Sequence, residues 1–283
     1  MDIVFRLTIK EVISKRLLQL MLLMTVIYLG VLAYGHHMAL TSIHVPQNGS
    51  FMNEQWFRQQ IGYQFLSLGW YIASFIVGAV AVFIGSASIS REIESGTILG
   101  LASKPISRRA IIGGKFAAYC LICMIYAAVM AAAIMLINHY YFDTYLQIGL
   151  VIKSIAIFAL LPVVLIAPSI LTSTGFSSLA SGVTMFFILC VGIVGGFLEQ
   201  IGALINNPGL VKVGIITSLI DPSDAIYRLA ISRVGGPVGT GIINTFGPFG
   251  STSTPSVWML VYSLLYVIVM VLLAIRVFRG QDF

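Results

Sequence analysis

The chain has 283 residues, of which 58% are hydrophobic and only 9% charged, with a mean hydropathy of +0.98 and a formal net charge of +6. A soluble domain carries about a quarter charged residues, and no polar block here is long enough to bury a core of its own, so a water-soluble enzyme or a membrane protein with an appended soluble domain is excluded. The basic excess flanks apolar runs rather than forming a face, which argues against nucleic acid as a partner.

In chain order, residues 1–16 read as an amphipathic helix. Phe5, Ile9, Val12 and Ile13 recur on one face, and Lys10, Glu11, Ser14 and Lys15 occupy the other. Such a helix lies in the membrane interface with its basic residues near anionic headgroups. The apolar run behind it is too long for a cleavable signal. Six runs then have about the 20 residues that cross the hydrocarbon: Leu17–Leu40, Tyr63–Ala87, Ala110–Ile137, Leu146–Leu171, Ser178–Leu198 and Val257–Phe278. The first connection, about Thr41 to Gly62, carries Pro46, Asn48-Gly49 and the interfacial pair Trp56 and Phe57. Asn138–Tyr145 and Thr172–Ser177 are short connections. Pro162 and Pro168 are expected to bend the fourth span.

The segment 199–256 is the longest connection and is too apolar for a plain loop. Asn206-Asn207-Pro208-Gly209 breaks it. Asp221 then caps a second short helix with Pro222 at its first position and Asp224 in its first turn. Ala225, Ile226, Leu229 and Ala230 form that helix's apolar face. The two short helices are expected to dip into, or lie on, the outer leaflet, and Val234–Pro255 reads as a Gly- and Pro-rich loop. The fold class is therefore all-α: one polytopic domain over 1–283, with six spans, an N-terminal interfacial helix and short re-entrant or interfacial helices between spans five and six.

An even number of spans puts both termini on one side. Arg6, Lys10, Lys15, Arg16, Arg91, Lys104, Arg108, Arg109, Lys115, Arg276 and Arg279 share that side, and Arg58, Lys153, Lys212, Arg228 and Arg233 fall on or near the other. Positive residues collect in the cytoplasm, so the termini are expected there.

Candidate chemistry is sparse. Ile112-Gly113-Gly114-Lys115-Phe116 resembles the end of a phosphate-binding loop, but the required first Gly is Arg109 and the required Ser or Thr is Phe116. No ATP site follows. All four histidines, His36, His37, His44 and His139, map to the outer side, with Met38 and Met52 nearby. Their spacing matches no metal site, and neighbours such as His36 and His37 point apart on a helix. They read as interfacial side chains, with His36, His37 and Lys153 kept as candidates for contact with a substrate or metal. Cys120 and Cys123 lie within a span, where a thiolate is costly, and read as small buried hydrophobes. Gly192-x-x-x-Gly196 offers a close-packing face for a dimer or for the monomer's own bundle. Glu199 closes the fifth span; intramembrane charges are often functional. The chain shows no protease or hydrolase constellation.

Charge concentrates in one place, Arg91–Arg109, between spans two and three. A short helix is expected over Ser88–Gly96, ended by Gly96, then a turn at Ser103-Lys104-Pro105, with Ser107 capping span three. Positive residues there set topology, but Glu92 and Glu94 contribute little to that. The wording SREIESGTILGLASKPISRRAIIGGK resembles the cytoplasmic signature of ABC-2-type transporter permeases: an acidic pair before Gly-Thr, then Pro-x-Ser-Arg, then Gly-Lys at the start of span three. Pro222-Ser223-Asp224-Ala225-Ile226-Tyr227-Arg228 is similar to a sequence that the family carries between spans five and six. Within the family, the wording looks nearest to the branch linked to maturation of multi-copper enzymes such as nitrous oxide reductase.

The resemblance implies a membrane subunit, not itself an enzyme, in a bacterial or archaeal cytoplasmic membrane. It implies a coupling region at 88–109 in which Arg91, Glu92, Glu94, Gly96, Thr97, Pro105 and Arg108 meet a separate ABC ATPase. ATP and Mg2+ would be bound by that subunit and no cofactor by this chain. The further partners implied are a second permease, identical or related, and an extracytoplasmic accessory protein. Export is the implied direction. Two other readings are an ATP-driven transmitter of force for metalloenzyme assembly, which would carry no cargo, and a secondary transporter, which would need buried coupling carboxylates or inverted repeats.

Overall fold

A computed structural model describes residues 2–14, 16–42, 54–97, 107–144, 147–234 and 253–280. Among them all regular structure is helical: α1 Asp2–Ser14, α2 Arg16–Ser42, α3 Glu54–Ser86, α4 Ser90–Glu94, α5 Arg108–Phe142, α6 Ile148–Phe158, α7 Leu161–Gly175, α8 Ser178–Leu204, α9 Pro208–Ile220, α10 Ser223–Val234 and α11 Trp258–Arg279. Six stretches are long and apolar enough to cross a membrane, as the sequence predicts. They correspond to α2, α3 with α4, α5, α6 with α7, α8 and α11. The protein is thus a multi-pass, all-α membrane protein. Pro46, Asn48-Gly49, His44 and Met52 of the first connection, Ser103-Lys104-Pro105, and most of the loop after Val234 lie outside the described residues.

Several spans run further than their apolar cores. α5 has 35 residues, about 52 Å of helix, against about 30 Å of hydrocarbon. It starts where Ser107 accepts a hydrogen bond from the Ala110 N–H at 3.3 Å and ends where Asp143 turns left-handed at φ 47°. Asn138, expected in a loop, therefore sits inside the helix. α3 begins at Glu54, so the first connection is shorter than its composition suggests.

Span four is broken where predicted. α6 stops at Phe158 and α7 starts at Leu161 with Pro162 in its first turn, while Pro168 is carried inside α7. Pro162 has no N–H for the Phe158 carbonyl, so the helical ladder lapses there.

The core lies between α3, α5 and α7. Trp70 is fully buried, donates its indole N–H to the Ala131 carbonyl at 3.3 Å, and meets the Phe158 ring at a tilt, with centroids 5.0 Å apart. Inside a bilayer the drive for such contacts is close packing and polar bonding, since lipid is as apolar as leucine. Gly85, on α3, meets Ser169 of α7 closely enough that a side chain would not fit. α1 packs on α5 through Val4, Thr8 and Val12, which are buried. This corrects the predicted face: Phe5 and Ile9 flank the contact, and a protein neighbour, not lipid alone, selects the buried stripe.

α8, α9 and α10 form one unit. Gly202 meets Leu210, Gly214 meets Glu199, Gly195 meets Thr217 and Gly192 meets Asp221, so α9 returns antiparallel along α8. The order then reverses, with Gly196 against Asp224 and Glu199 against Arg228. Asp221 is the lowest point, opposite a residue 14 positions from the start of α8, which is about 21 Å along that helix. This is a re-entrant hairpin. Asp221 accepts the Ser223 N–H at 3.0 Å and the Ser223 hydroxyl at 2.8 Å, the predicted cap. Asn207 caps α9 through Gly209 and Leu210. α10 is buried on every side, not on one face: it packs against α6, α3, α7 and α8, and Tyr227 donates to the Ser67 carbonyl at 2.9 Å. It does not lie on the leaflet surface. The Gly192/Gly196 face is filled by this hairpin, so it serves the monomer's own bundle.

Candidate functional site

Two polar constellations stand out in this apolar bundle, one at each end. At the end carrying both termini, α3 unwinds after Ser86 and the chain turns into α4. Gly96 closes α4 with φ +69°, a conformation that favours glycine, and no other atom lies near the space a Cβ would take. Arg91, Glu94, Ser95, Gly96 and Thr97 are exposed. Thr97 bonds the Ser95 hydroxyl at 2.8 Å and the Glu92 carbonyl at 3.4 Å, which closes the turn.

Three spans hold α4 from behind. Ser173, buried on α7, accepts the Ile89 N–H at 3.0 Å and bonds the Ser88 hydroxyl at 3.2 Å. Glu94 accepts the Ser178 N–H at 2.7 Å, capping the start of α8 with a carboxylate where the helix dipole favours one. Lys115 of α5 is 2% exposed. Its Nζ donates to the Ser88 carbonyl at 2.5 Å and pairs with Glu92 Oε1 at 2.6 Å. Glu92 Oε2 makes no hydrogen bond among the described residues. A cleft lined by Glu11, Val12, Ile84, Arg91, Glu92 and Tyr119 opens beside this group. Arg108 turns the other way, donating to the Phe278 and Arg279 carbonyls at 2.9 and 3.0 Å, with its guanidinium 5.9 Å from the Phe278 ring. It caps the last turn of α11. Pro105 lies outside the described residues.

At the far end Arg228, 1% exposed, is gripped by two acids. Its Nη1 and Nη2 reach Glu199 Oε1 and Oε2, each at 2.7 Å, and its Nε reaches Asp224 Oδ2 at 2.8 Å. Nη1 also donates to the Ser253 carbonyl at 3.2 Å, and the Ser253 hydroxyl donates to Glu199 Oε1 at 2.8 Å. Four of these bonds use the guanidinium's fixed fork, and they join α8, α10 and the segment leading into α11. Sequence reasoning placed Glu199 and Arg228 separately and missed the triad. The signal was present: Asp224 and Arg228 are four apart on one helix, and charges in an apolar segment must find partners.

The outer candidates come apart. His36 is fully buried, its Nδ1 2.8 Å from the Leu32 carbonyl. That bond makes Nδ1 the protonated nitrogen, so Nε2 accepts from Asn138 Nδ2 at 3.3 Å and has no lone pair left for a metal. His37 and Lys153 are exposed and do not join it. Among the described residues no group of His, Cys, Asp and Glu is arranged to hold a metal ion.

The chain is thus helical and multi-pass, with a braced short helix between spans two and three and a re-entrant hairpin between spans five and six. Residues 6–283 match the family model for the ABC-2 family transporter protein, and the chain belongs to that family. It is therefore a membrane subunit of an ABC transporter, of a kind generally not catalytic itself, whose partner in general is an ABC ATPase. The match is to the family as a whole and carries nothing toward the metalloenzyme-maturation branch. None of the curated proteins matches the chain.

Proposed function

We propose that this chain is the permease of an ATP-driven exporter in a bacterial or archaeal cytoplasmic membrane, with both termini in the cytoplasm, working beside a second permease copy. ATP and Mg2+ bind a separate ATPase, and this chain binds no cofactor. The observation that carries the reading is α4: a short helix, exposed outward and braced inward, beside the basic flanks that mark the cytoplasmic side. Arg91, Glu94, Gly96 and Thr97 form the docking face for the ATPase; Pro105, which the family resemblance adds to it, lies outside the described residues. Glu92 supports that face from behind through Lys115, and Arg108 fastens the start of span three to the end of α11. The metalloenzyme-maturation reading, with its extracytoplasmic accessory protein, rests on sequence wording alone and is the secondary one.

The test is mass spectrometry of what co-purifies with the tagged chain from its native membrane in mild detergent. A stoichiometric soluble subunit carrying a phosphate-binding loop is expected, and Arg91→Glu with Thr97→Arg should reduce its recovery at least about fivefold. A chain that purifies without any such subunit sinks the reading.

A further inference from the structure

A buried lysine in an apolar bundle calls for an explanation. Positive residues near a membrane usually snorkel to water, and Lys115 lies within reach of the bundle end. It instead points inward, 2% exposed, and spends two of its N–H groups on one short segment: the Ser88 carbonyl before α4 and the Glu92 carboxylate within it. Desolvating an ammonium is costly, and topology would be served as well by a solvated lysine. The site also sits at a specific joint. α3 ends at Ser86, and the next residues form an irregular turn before α4 begins at Ser90. Without a brace that turn is a hinge between span two and the docking helix. Lys115 ties the turn itself, at Ser88, and α4, at Glu92, to span three. Ser173 ties the same turn to span four, but through a hydroxyl and an amide.

We propose that Lys115 is a positioning residue that makes α4 and the inner end of span three one rigid body, so that movement imposed on α4 by the ATPase reaches the spans instead of being absorbed at residues 87–89. The Glu92–Lys115 pair transmits and does not dock. This inference rests on the coupling role proposed above for α4.

The experiment uses the chain with its native ATPase, in wild-type form and as Lys115→Met, which keeps most of the side chain's volume and removes the charge. Three quantities are read: ATPase recovered per chain, the permease-dependent ATP hydrolysis rate, and amide hydrogen exchange over residues 88–97 of the isolated chain. The expected result separates them. Recovery stays within about twofold, the rate falls about tenfold, and exchange over 88–97 quickens about tenfold or more. Unchanged rate and exchange would overturn the proposal. Loss of the ATPase together with the rate would also overturn it, because Lys115 would then serve docking or folding. If the wild-type chain brings down no ATPase, the coupling role itself fails, and the exchange measurement alone decides whether Lys115 stiffens the turn. Should Lys115→Met not accumulate, Glu92→Gln is read in the same way: it keeps an acceptor for Nζ but removes the ion pair, and the same split between recovery and rate is required.

Discussion

Replacing Arg228 by Met tests the far-end triad. The guanidinium is 1% exposed and is the only cation that the described structure brings within ion-pair distance of Glu199 and Asp224. Removing it leaves two carboxylates facing each other in a buried site, and the Ser253 carbonyl without its donor. Breaking a buried pair from one side costs about 3–5 kcal/mol. In detergent this should lower the thermal transition by roughly 6–15 °C, measured as loss of the monodisperse peak in size-exclusion chromatography after heating. Neutralising the acids as well, as E199Q and D224N in the same chain, should recover most of that loss, because the penalty comes from unpaired charge and not from lost attraction. A melting temperature for Arg228→Met within about 2 °C of wild type would refute the assignment. So would a triple variant no more stable than the single one.

Gly196→Ala places a methyl group where the Asp224 carboxylate lies, so the re-entrant hairpin must shift; a loss of about 1–3 kcal/mol is expected in the same heating assay. Gly149→Ala, with open space around it, should cost far less. Asn138→Leu removes bonds to the Gly62 carbonyl at 2.7 Å, the Thr144 hydroxyl at 3.0 Å and His36 at 3.3 Å, and should destabilise the ends of spans one to three that lie away from the termini by about 2–4 kcal/mol, read by the same transition. Gly96→Ala forces an L residue into a left-handed conformation, a cost of about 1–2 kcal/mol, and should reduce ATPase recovery. Gly96→Asn, which tolerates that conformation better, should reduce it less; equal effects would show that the turn's backbone is not what matters.

Much of the fold could be read from the residues because the membrane makes length and punctuation decisive. Spans are counted by apolar run length. The ends are marked by residues with a local job: Ser107 and Asp221 accept backbone N–H groups, Gly96 takes a positive φ, and Pro162 lacks a donor. Faces were harder. Spans apolar all round carry little periodic signal, so the sequence could not say whether Gly192 and Gly196 faced another copy or their own hairpin. The wrong stripe on α1 has the same origin, because Thr8 is as buried as its apolar neighbours once a helix lies against it. Glu92 and Glu94 stood out by exclusion, since topology did not need them, and only the family resemblance gave them a coupling role. The structure adds what exclusion cannot: Glu92 has a lysine 23 positions away in sequence, and Glu94 caps a helix that starts at Ser178. Pairings over such separations leave no local spacing to detect.

The hairpin against Gly192, Gly195 and Gly196 has a consequence for how span five can meet a neighbouring chain. Its small residues are consumed inside the monomer, and the side left outward carries Leu179, Val183, Phe187, Val191 and Val194. Small residues let backbones approach closely. A ridge of this bulk holds two helix axes at the usual 8–10 Å. Any helix resting on that side therefore meets interlocking branched and aromatic teeth, with the two main chains kept well apart.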